Sequence, residues 1–266
     1  MNQVTVNGIG LNVRIDGDTG PEKPWIILSN SLGSNLSMWD GQIELLTSHY
    51  RVLRYDTRGH GKSQVLTGDY QLSQLEADVI GLMDFYQIRK AAFMGLSMGG
   101  MTGMGLALKH PDRFTRVVVC DARADAPDGF RKSWDDRAAF IRENTMASLV
   151  PSTLERWLTP SFRAQNPTQT QWVGDMVANT HPDGYLGCAM ALKQLDYLKE
   201  LPEITIPVLY VGGEVDSGAM PDVMQAMADA TPNSKYHPIA NAAHIANIDN
   251  PDGFAAAVAS FLELNR

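Results

Sequence analysis

A serine between two glycines, Gly95-Leu96-Ser97-Met98-Gly99, is the part of this 266-residue chain whose residue types and spacing most directly suggest chemistry. The five-residue pattern is common by itself, and its surroundings give it meaning. The apolar run Ala91 to Leu96 precedes it and a helical pattern from Met98 to His110 follows, so the serine falls on a sharp strand-to-helix turn. Such a turn strains the backbone and brings the helix close to the sheet, which calls for flanking residues without side-chain bulk. It exposes Oγ and leaves the Met98 N–H at a helix N-terminus, where an orphan donor and the helix dipole stabilise a developing oxyanion. Gly99, Gly100, Gly103 and Gly105 do not form G-x-G-x-x-G, so close helix packing explains them better than a dinucleotide.

A serine hydroxyl becomes a useful nucleophile only beside a base that is itself oriented by an acid. On this kind of elbow the partners follow in the chain order Ser, Asp or Glu, then His. Of six histidines, His49, His60 and His110 precede or immediately follow the elbow, His181 lies in a helical region, and His237 sits inside a strand-like run where a half-buried side chain is expected. His244 remains, in the loop Asn241-Ala242-Ala243-His244 after the last strand run. The acid has two candidates at the ends of strand runs: Asp216, in Gly212-Gly213-Glu214-Val215-Asp216, and Asp121, after Val117 to Cys120. Asp216 is preferred because the loop after the penultimate strand is the usual place from which to orient the histidine, with Asp121 a competitor and Glu214 a solvated loop charge.

The elements that must position these residues follow from the hydrophobic pattern. Short apolar runs at Trp25 to Leu28, Val52 to Tyr55, Ala91 to Leu96, Val117 to Cys120, Val208 to Val211 and Lys235 to Ile239 alternate with helical patterns. That rhythm predicts a mostly parallel sheet with helices on both faces. Gln3 to Val6 and Leu11 to Ile15 read as an antiparallel hairpin at its edge, and Ser73 with Glu76 reads as a capping box opening a helix to Tyr86. From about Arg123 to Leu201 helical patterns follow one another without a strand run, punctuated by Pro127, Pro151, Pro160, Pro167 and Pro182. The expected organisation is a core in two parts, 1–122 and 202–266, with a helical cap, 123–201, inserted between them.

Composition narrows the class. With 44% hydrophobic and 20% charged residues the chain is globular, and its formal charge of −8 disfavours nucleic acid and anionic membrane surfaces as partners. The first ten residues lack the features of a signal peptide and no apolar run approaches ~18 residues, so a cytoplasmic protein with no membrane span is expected. Two scattered cysteines, Cys120 and Cys188, suit a reducing compartment, and their spacing suggests no zinc site. Homo-oligomerisation is left open.

Three sequence blocks carry a resemblance to a known family. Leu28-Ser29-Asn30-Ser31-Leu32-Gly33 with Ser37-Met38-Trp39, then Tyr55-Asp56-Thr57-Arg58-Gly59-His60-Gly61-Lys62-Ser63, then the elbow itself, resemble the 3-oxoadipate enol-lactonases, which have the α/β-hydrolase fold. The last two blocks are shared by many α/β hydrolases. Ser-Asn-Ser-Leu-Gly is narrower, because most relatives carry His-Gly there, although a plain polar turn is the competing reading of Asn30 and Ser31. The likeness returns at Trp134 with Arg137 and at Arg156-Trp157-Leu158-Thr159. It weakens at Arg142-Glu143-Asn144-Thr145-Met146 and at Tyr185 to Leu192, which leaves the substrate less defined than the reaction type.

The resemblance implies that the Leu32 N–H joins that of Met98 as an oxyanion donor, and that a small carboxylate-bearing enol lactone is opened through an acyl-enzyme without metal or organic cofactor. A chain at −8 that binds such an anion needs a local cation. Arg137 and Arg142 are five positions apart and do not share a helix face, and Arg137, three residues after Trp134, is the expected contact. A solvated charge paired with Asp135, Asp136 or Glu143 is the competing reading of Arg137. The alternative substrates are those of a carboxylesterase, thioesterase or perhydrolase acting on small uncharged acyl groups. A third class, a ligand receptor on the same fold, has no need of an intact nucleophile, base and acid.

Overall fold

The computed structural model describes residues 2–17 and 23–264. Eight strands form one sheet: β1 (Asn2–Val6), β2 (Ile9–Asp16), β3 (Trp25–Ser29), β4 (Arg51–Tyr55), β5 (Ala91–Leu96), β6 (Phe114–Cys120), β7 (Val208–Gly213) and β8 (Ser234–Ile239). Their order across the sheet is β1-β2-β4-β3-β5-β6-β7-β8, with β1/β2 and β2/β4 antiparallel and every other pair parallel. Each of the strand runs expected from the apolar pattern is present. The central strands β5 and β7 are buried at every position, as a strand covered on both faces must be. β8 lies at the sheet edge, and there His237 is exposed rather than half-buried.

The helices are α1 (Ile43–Thr47), α2 (Leu72–Phe85), α3 (Met98–Lys109), α4 (Asp128–Glu143), α5 (Val150–Trp157), α6 (Pro160–Gln165), α7 (Pro167–Ala178), α8 (Pro182–Leu192), α9 (Pro221–Ala230), α10 (Ala246–Asp249) and α11 (Pro251–Phe261). Five of them, α4 to α8, follow one another between β6 and β7. Pro151, Pro160, Pro167 and Pro182 stand in the first turns of α5 to α8, where a missing N–H costs nothing, and Pro127 immediately precedes α4. An isolated antiparallel bridge, Asp125 to Asp196, ties together the two ends of this segment. Its buried Trp134, Ile141, Trp157 and Val173 belong to the same apolar core as the sheet strands.

The capping box expected at Ser73 and Glu76 lies two residues earlier, at Gln71 and Gln74. The helix begins at Leu72, and the Gln71 N–H donates to the Gln74 side chain at 3.0 Å. Glu76 is buried and accepts from the Tyr197 hydroxyl and, at 2.8 Å, from the Lys109 ammonium, so it ties α2 to α3 and to the segment after α8.

The Asp56 to Ser63 block proves to be scaffolding. The Asp56 carboxylate accepts from the Leu36 and Lys62 N–H groups at 2.7 and 2.8 Å and from the Asn12 amide at 2.7 Å. Arg58 forms two bonds of 2.7 Å to Asp78 on α2, and both side chains are buried. Removing one partner of such a pair strands a buried charge, whereas removing both does not. Asp78→Leu is therefore expected to cost roughly 3–5 kcal/mol by urea unfolding, and Arg58→Met with Asp78→Leu less than the sum of the two single losses. Additive losses would show that the two groups do not form one unit.

Candidate active site

The backbone at Ser97 explains the glycines around it. Ser97 has φ 54° and ψ −114°, a conformation that L residues rarely adopt. Its N–H donates to the Cys120 carbonyl at 2.8 Å, so β5 keeps its pairing with β6 up to the turn. A side chain at Gly95 would place its Cβ 2.2 Å from the Gly99 carbonyl oxygen, and one at Gly99 would lie 2.3 Å from that of Ser29. Only glycine lets α3 leave the sheet at this angle.

The fold brings the three predicted side chains together from three loops. The His244 Nε2 lies 3.0 Å from Ser97 Oγ, and its Nδ1 lies 2.8 Å from Asp216 Oδ2. A carboxylate at Nδ1 selects the tautomer protonated there and leaves the Nε2 lone pair facing the serine hydroxyl. Asp216 is itself held, with Gly218 N–H donating to Oδ1 at 2.7 Å and Ala219 N–H to Oδ2 at 3.1 Å. Burial pushes the Asp216 carboxyl up, but the charge and hydrogen bond of His244 and the two amides outweigh it and hold the carboxyl below its ordinary range.

Asp121, the competing acid, points elsewhere. It is fully buried at φ 45°, and its Oδ1 accepts from the Gly213 N–H at 2.7 Å, while Oδ2 has no partner among the described residues. Burial first, and then the neighbouring Asp216 charge, raise its pKa well above its ordinary value, which favours the protonated form. Its contact supports the loop that carries Asp216.

The other predicted residues fall as follows. Met98 opens α3, so its N–H has no acceptor inside the helix, and no acceptor for the Leu32 N–H is found among the described residues. Asn30 is buried, donating to the Tyr55 carbonyl at 2.7 Å and accepting from the Trp39 indole at 3.1 Å, so it shapes this turn rather than decorating it. Leu32, Trp134 and Arg137 line one pocket with Ser97 and His244. The Arg137 guanidinium stacks 4.3 Å from the Trp134 ring centroid and lies 3.4 Å from the Tyr185 hydroxyl. It is not paired with the acids of its own helix, since Asp135 is taken by Lys193 and Asp136 by Lys132. Arg142 is exposed.

Sequence reasoning gave several pocket residues no role in the site, although it noted Arg156, Trp157 and Tyr185 in comparing the chain with the family. Arg156, Trp157, Tyr185, Phe130 and Met101 line the cavity, and the Trp157 ring lies 6.3 Å from that of His244. Asp249 accepts from the Thr159 N–H and hydroxyl at 3.0 and 2.9 Å and from the Ala243 N–H at 2.7 Å. It thereby joins the end of α5 to the residue before His244. No local pattern announces it, because its partners are 90 and 6 residues away. Cys120 and Cys188 are buried and unpaired, and among the described residues no helix is long and apolar enough to cross a membrane.

Residues 24–251 match the family model of the alpha/beta hydrolase fold. The chain is 36% identical over 260 residues to 3-oxoadipate enol-lactonase 2 of Acinetobacter baylyi, covering 98% of this chain and 96% of that one. The crystal structure of an enol-lactonase from Burkholderia xenovorans LB400 superposes with a TM-score of 0.95 at 40% identity, covering 98% of this chain and 100% of its own. A thermophilic esterase from Thermogutta terrifontis, solved with malate bound, gives a TM-score of 0.90 at 26% identity over 99% of this chain and 97% of its own.

The raised Asp121 carboxyl makes stability depend on pH. The unfolded chain releases this proton near pH ~3.9, and the folded chain holds it to a higher pH, so between the two the unfolded state binds fewer protons and stability falls as pH rises. Asp121→Asn keeps an acceptor for Gly213 and removes the titration. Its stability relative to the parent should therefore improve as pH rises above about 4 in urea unfolding. A difference that does not vary with pH would mean that Asp121 is ionised in the fold.

Proposed function

From the premise that the chain belongs to the 3-oxoadipate enol-lactonase family of α/β-hydrolase-fold enzymes, we propose that it opens a small carboxylate-bearing enol lactone through an acyl-enzyme on Ser97. The observation that carries this reading is the relay of 2.8 and 3.0 Å from Asp216 through His244 to Ser97, at a pocket that also holds the Arg137 guanidinium.

In the first step Ser97 Oγ attacks the lactone carbonyl carbon while His244 Nε2 takes the hydroxyl proton. The N–H groups of Leu32 and Met98 receive the tetrahedral oxyanion. Collapse breaks the ring C–O bond and expels an enolate, a good leaving group, which takes a proton and becomes a ketone. Water, deprotonated by His244, then attacks the acyl-serine and releases the acid. Asp216 holds the imidazole tautomer and stabilises the imidazolium throughout. Arg137, braced on Trp134, faces the free carboxylate, and residues 123–201 act as the cap that sets specificity over a core of 1–122 and 202–266. A second reading keeps the triad and takes an uncharged small ester, favoured by the esterase relative and by the apolar walls of Phe130, Trp134 and Trp157.

The test is a comparison of a carboxylate-bearing enol lactone with a neutral short-chain aryl ester. The lactone should be the faster substrate, a fluorophosphonate should label Ser97, and Ser97→Ala should lose both labelling and turnover while remaining folded. Arg137→Ala should lower kcat/KM for the lactone roughly 10- to 150-fold and that for the neutral ester by less. A faster neutral ester, or equal losses on both substrates, would favour the second reading.

The two acids separate by activity as well. Asp216→Asn should lower kcat by about 10⁴ by favouring the wrong histidine tautomer, with Asp121→Asn far milder. The opposite ranking would move the orienting role to Asp121.

A further inference from the structure

Arg137 is not the only cation at the pocket. Arg156, on α5, lines the same cavity as Ser97, His244 and Arg137. It is half-buried, and among the described residues it forms no hydrogen bond and no ion pair. Burial, and then the charge of Arg137, lower its pKa to about 10, which leaves it protonated at neutral pH beside a second cation. Each of the other charged groups at the pocket has an engagement. Arg123 pairs with Asp125 at 2.8 Å, Asp216 is held by His244, and Asp121, its pKa raised by burial, accepts from the Gly213 N–H.

Two like charges held close together in a partly desolvated cavity repel each other, and a half-buried guanidinium without a partner costs stability. The chain carries more acidic than basic residues, 30 against 22, yet among the described residues no acidic side chain forms an ion pair with Arg137 or Arg156, and the acid whose charge acts on Arg156, Asp216, is held by His244. The arrangement is explained if the missing anion belongs to the ligand, since an Arg fork matches a carboxylate in two parallel bonds.

We propose that Arg156 is a specificity-determining residue, acting with Arg137 as a two-cation receptor for the carboxylate of a short acyl ligand whose carbonyl lies at Ser97. The assignment rests on Ser97 being the reacting residue, and it is independent of whether the ester is cyclic. Arg137 is already partly satisfied by the Trp134 face and the Tyr185 hydroxyl, so Arg156 carries the larger unmet demand for an anion.

The experiment uses a matched pair of esters, 4-nitrophenyl butanoate and mono-4-nitrophenyl glutarate, which differ in a terminal carboxylate. The ratio of their kcat/KM values should fall at least about 10-fold against the glutarate ester in Arg156→Met, with Arg156→Lys intermediate because it keeps the charge and loses the fork. Thermal unfolding of the Ser97→Ala protein gives a readout without turnover. Free glutarate at about ten times its Kd should raise Tm by roughly 2–4 °C, and Arg156→Met in that background should lose most of the shift. Without glutarate, Arg156→Met should melt no lower than its parent, because an unpaired cation has been removed. Equal losses on both esters, or a glutarate shift that survives, would overturn the proposal and leave Arg156 a wall residue. If Arg156→Met does not fold, Arg156→Gln takes its place in both measurements. Should glutarate binding depend on Arg156 while an enol lactone is not hydrolysed, the lactone reading fails and the receptor stands.

Discussion

The left-handed backbone at Ser97 is the constraint on which the rest of the site depends. A residue at φ 54° persists only where its surroundings over-determine it. Here the Ser97 N–H is tied to Cys120 on β6 and the Gly99 N–H, at 3.1 Å, to Asn30 beyond β3. The turn is thus clamped from the strands on either side of β5. The price is a loss of side chains at Gly95 and Gly99, and the return is a hydroxyl that lines the pocket at the mouth of a helix whose first N–H has no acceptor within it.

A second joint sets the histidine. Asp249 gathers the Thr159 N–H and hydroxyl and the Ala243 N–H on one carboxylate, and the Ile245 N–H donates to the Trp157 carbonyl at 3.2 Å. The residues on both sides of His244 are therefore bonded to the end of α5, the same helix end that presents Arg156 and Trp157 to the pocket. The pocket walls on α5 and His244 share one hydrogen-bonded connection, so a shift of α5 would be felt at the imidazole.

The electrostatics of the site are arranged by unequal treatment of similar groups. Asp121 and Asp216 are both buried and near enough to influence each other, and the pKa of one is raised while that of the other is lowered. The difference lies in donors. Asp216 has two amides and an imidazole, whereas the second oxygen of Asp121 has no partner among the described residues. The carboxylate whose charge is favoured is the one that meets the histidine. On the pocket side, two guanidiniums stand without acidic ion-pair partners among the described residues in a chain of net charge −8, which gives the site a local positive charge against the overall field.

The strand-to-helix turn at Ser97, its meeting with His244 and the parallel sheet are all legible in the sequence, because the first and last have short-range signatures and the chain order of the fold suggests the other. Strand runs alternate with helical periods, a nucleophile needs small neighbours, and proline marks helix starts, as it does at Pro151, Pro160, Pro167 and Pro182. The choice between Asp121 and Asp216 was narrowed but not closed by chain order, since both end a strand, and only the fold shows which carboxylate meets Nδ1. Glu76 looked like a cap residue because a local pattern allowed it, whereas its partners, Lys109 and Tyr197, are 33 and 121 positions away. The unpaired state of Arg156 and the joint at Asp249 are likewise properties of groups brought together from distant parts of the chain. Local spacing encodes backbone geometry, and the partners of a buried charge are decided only when the tertiary structure closes around it.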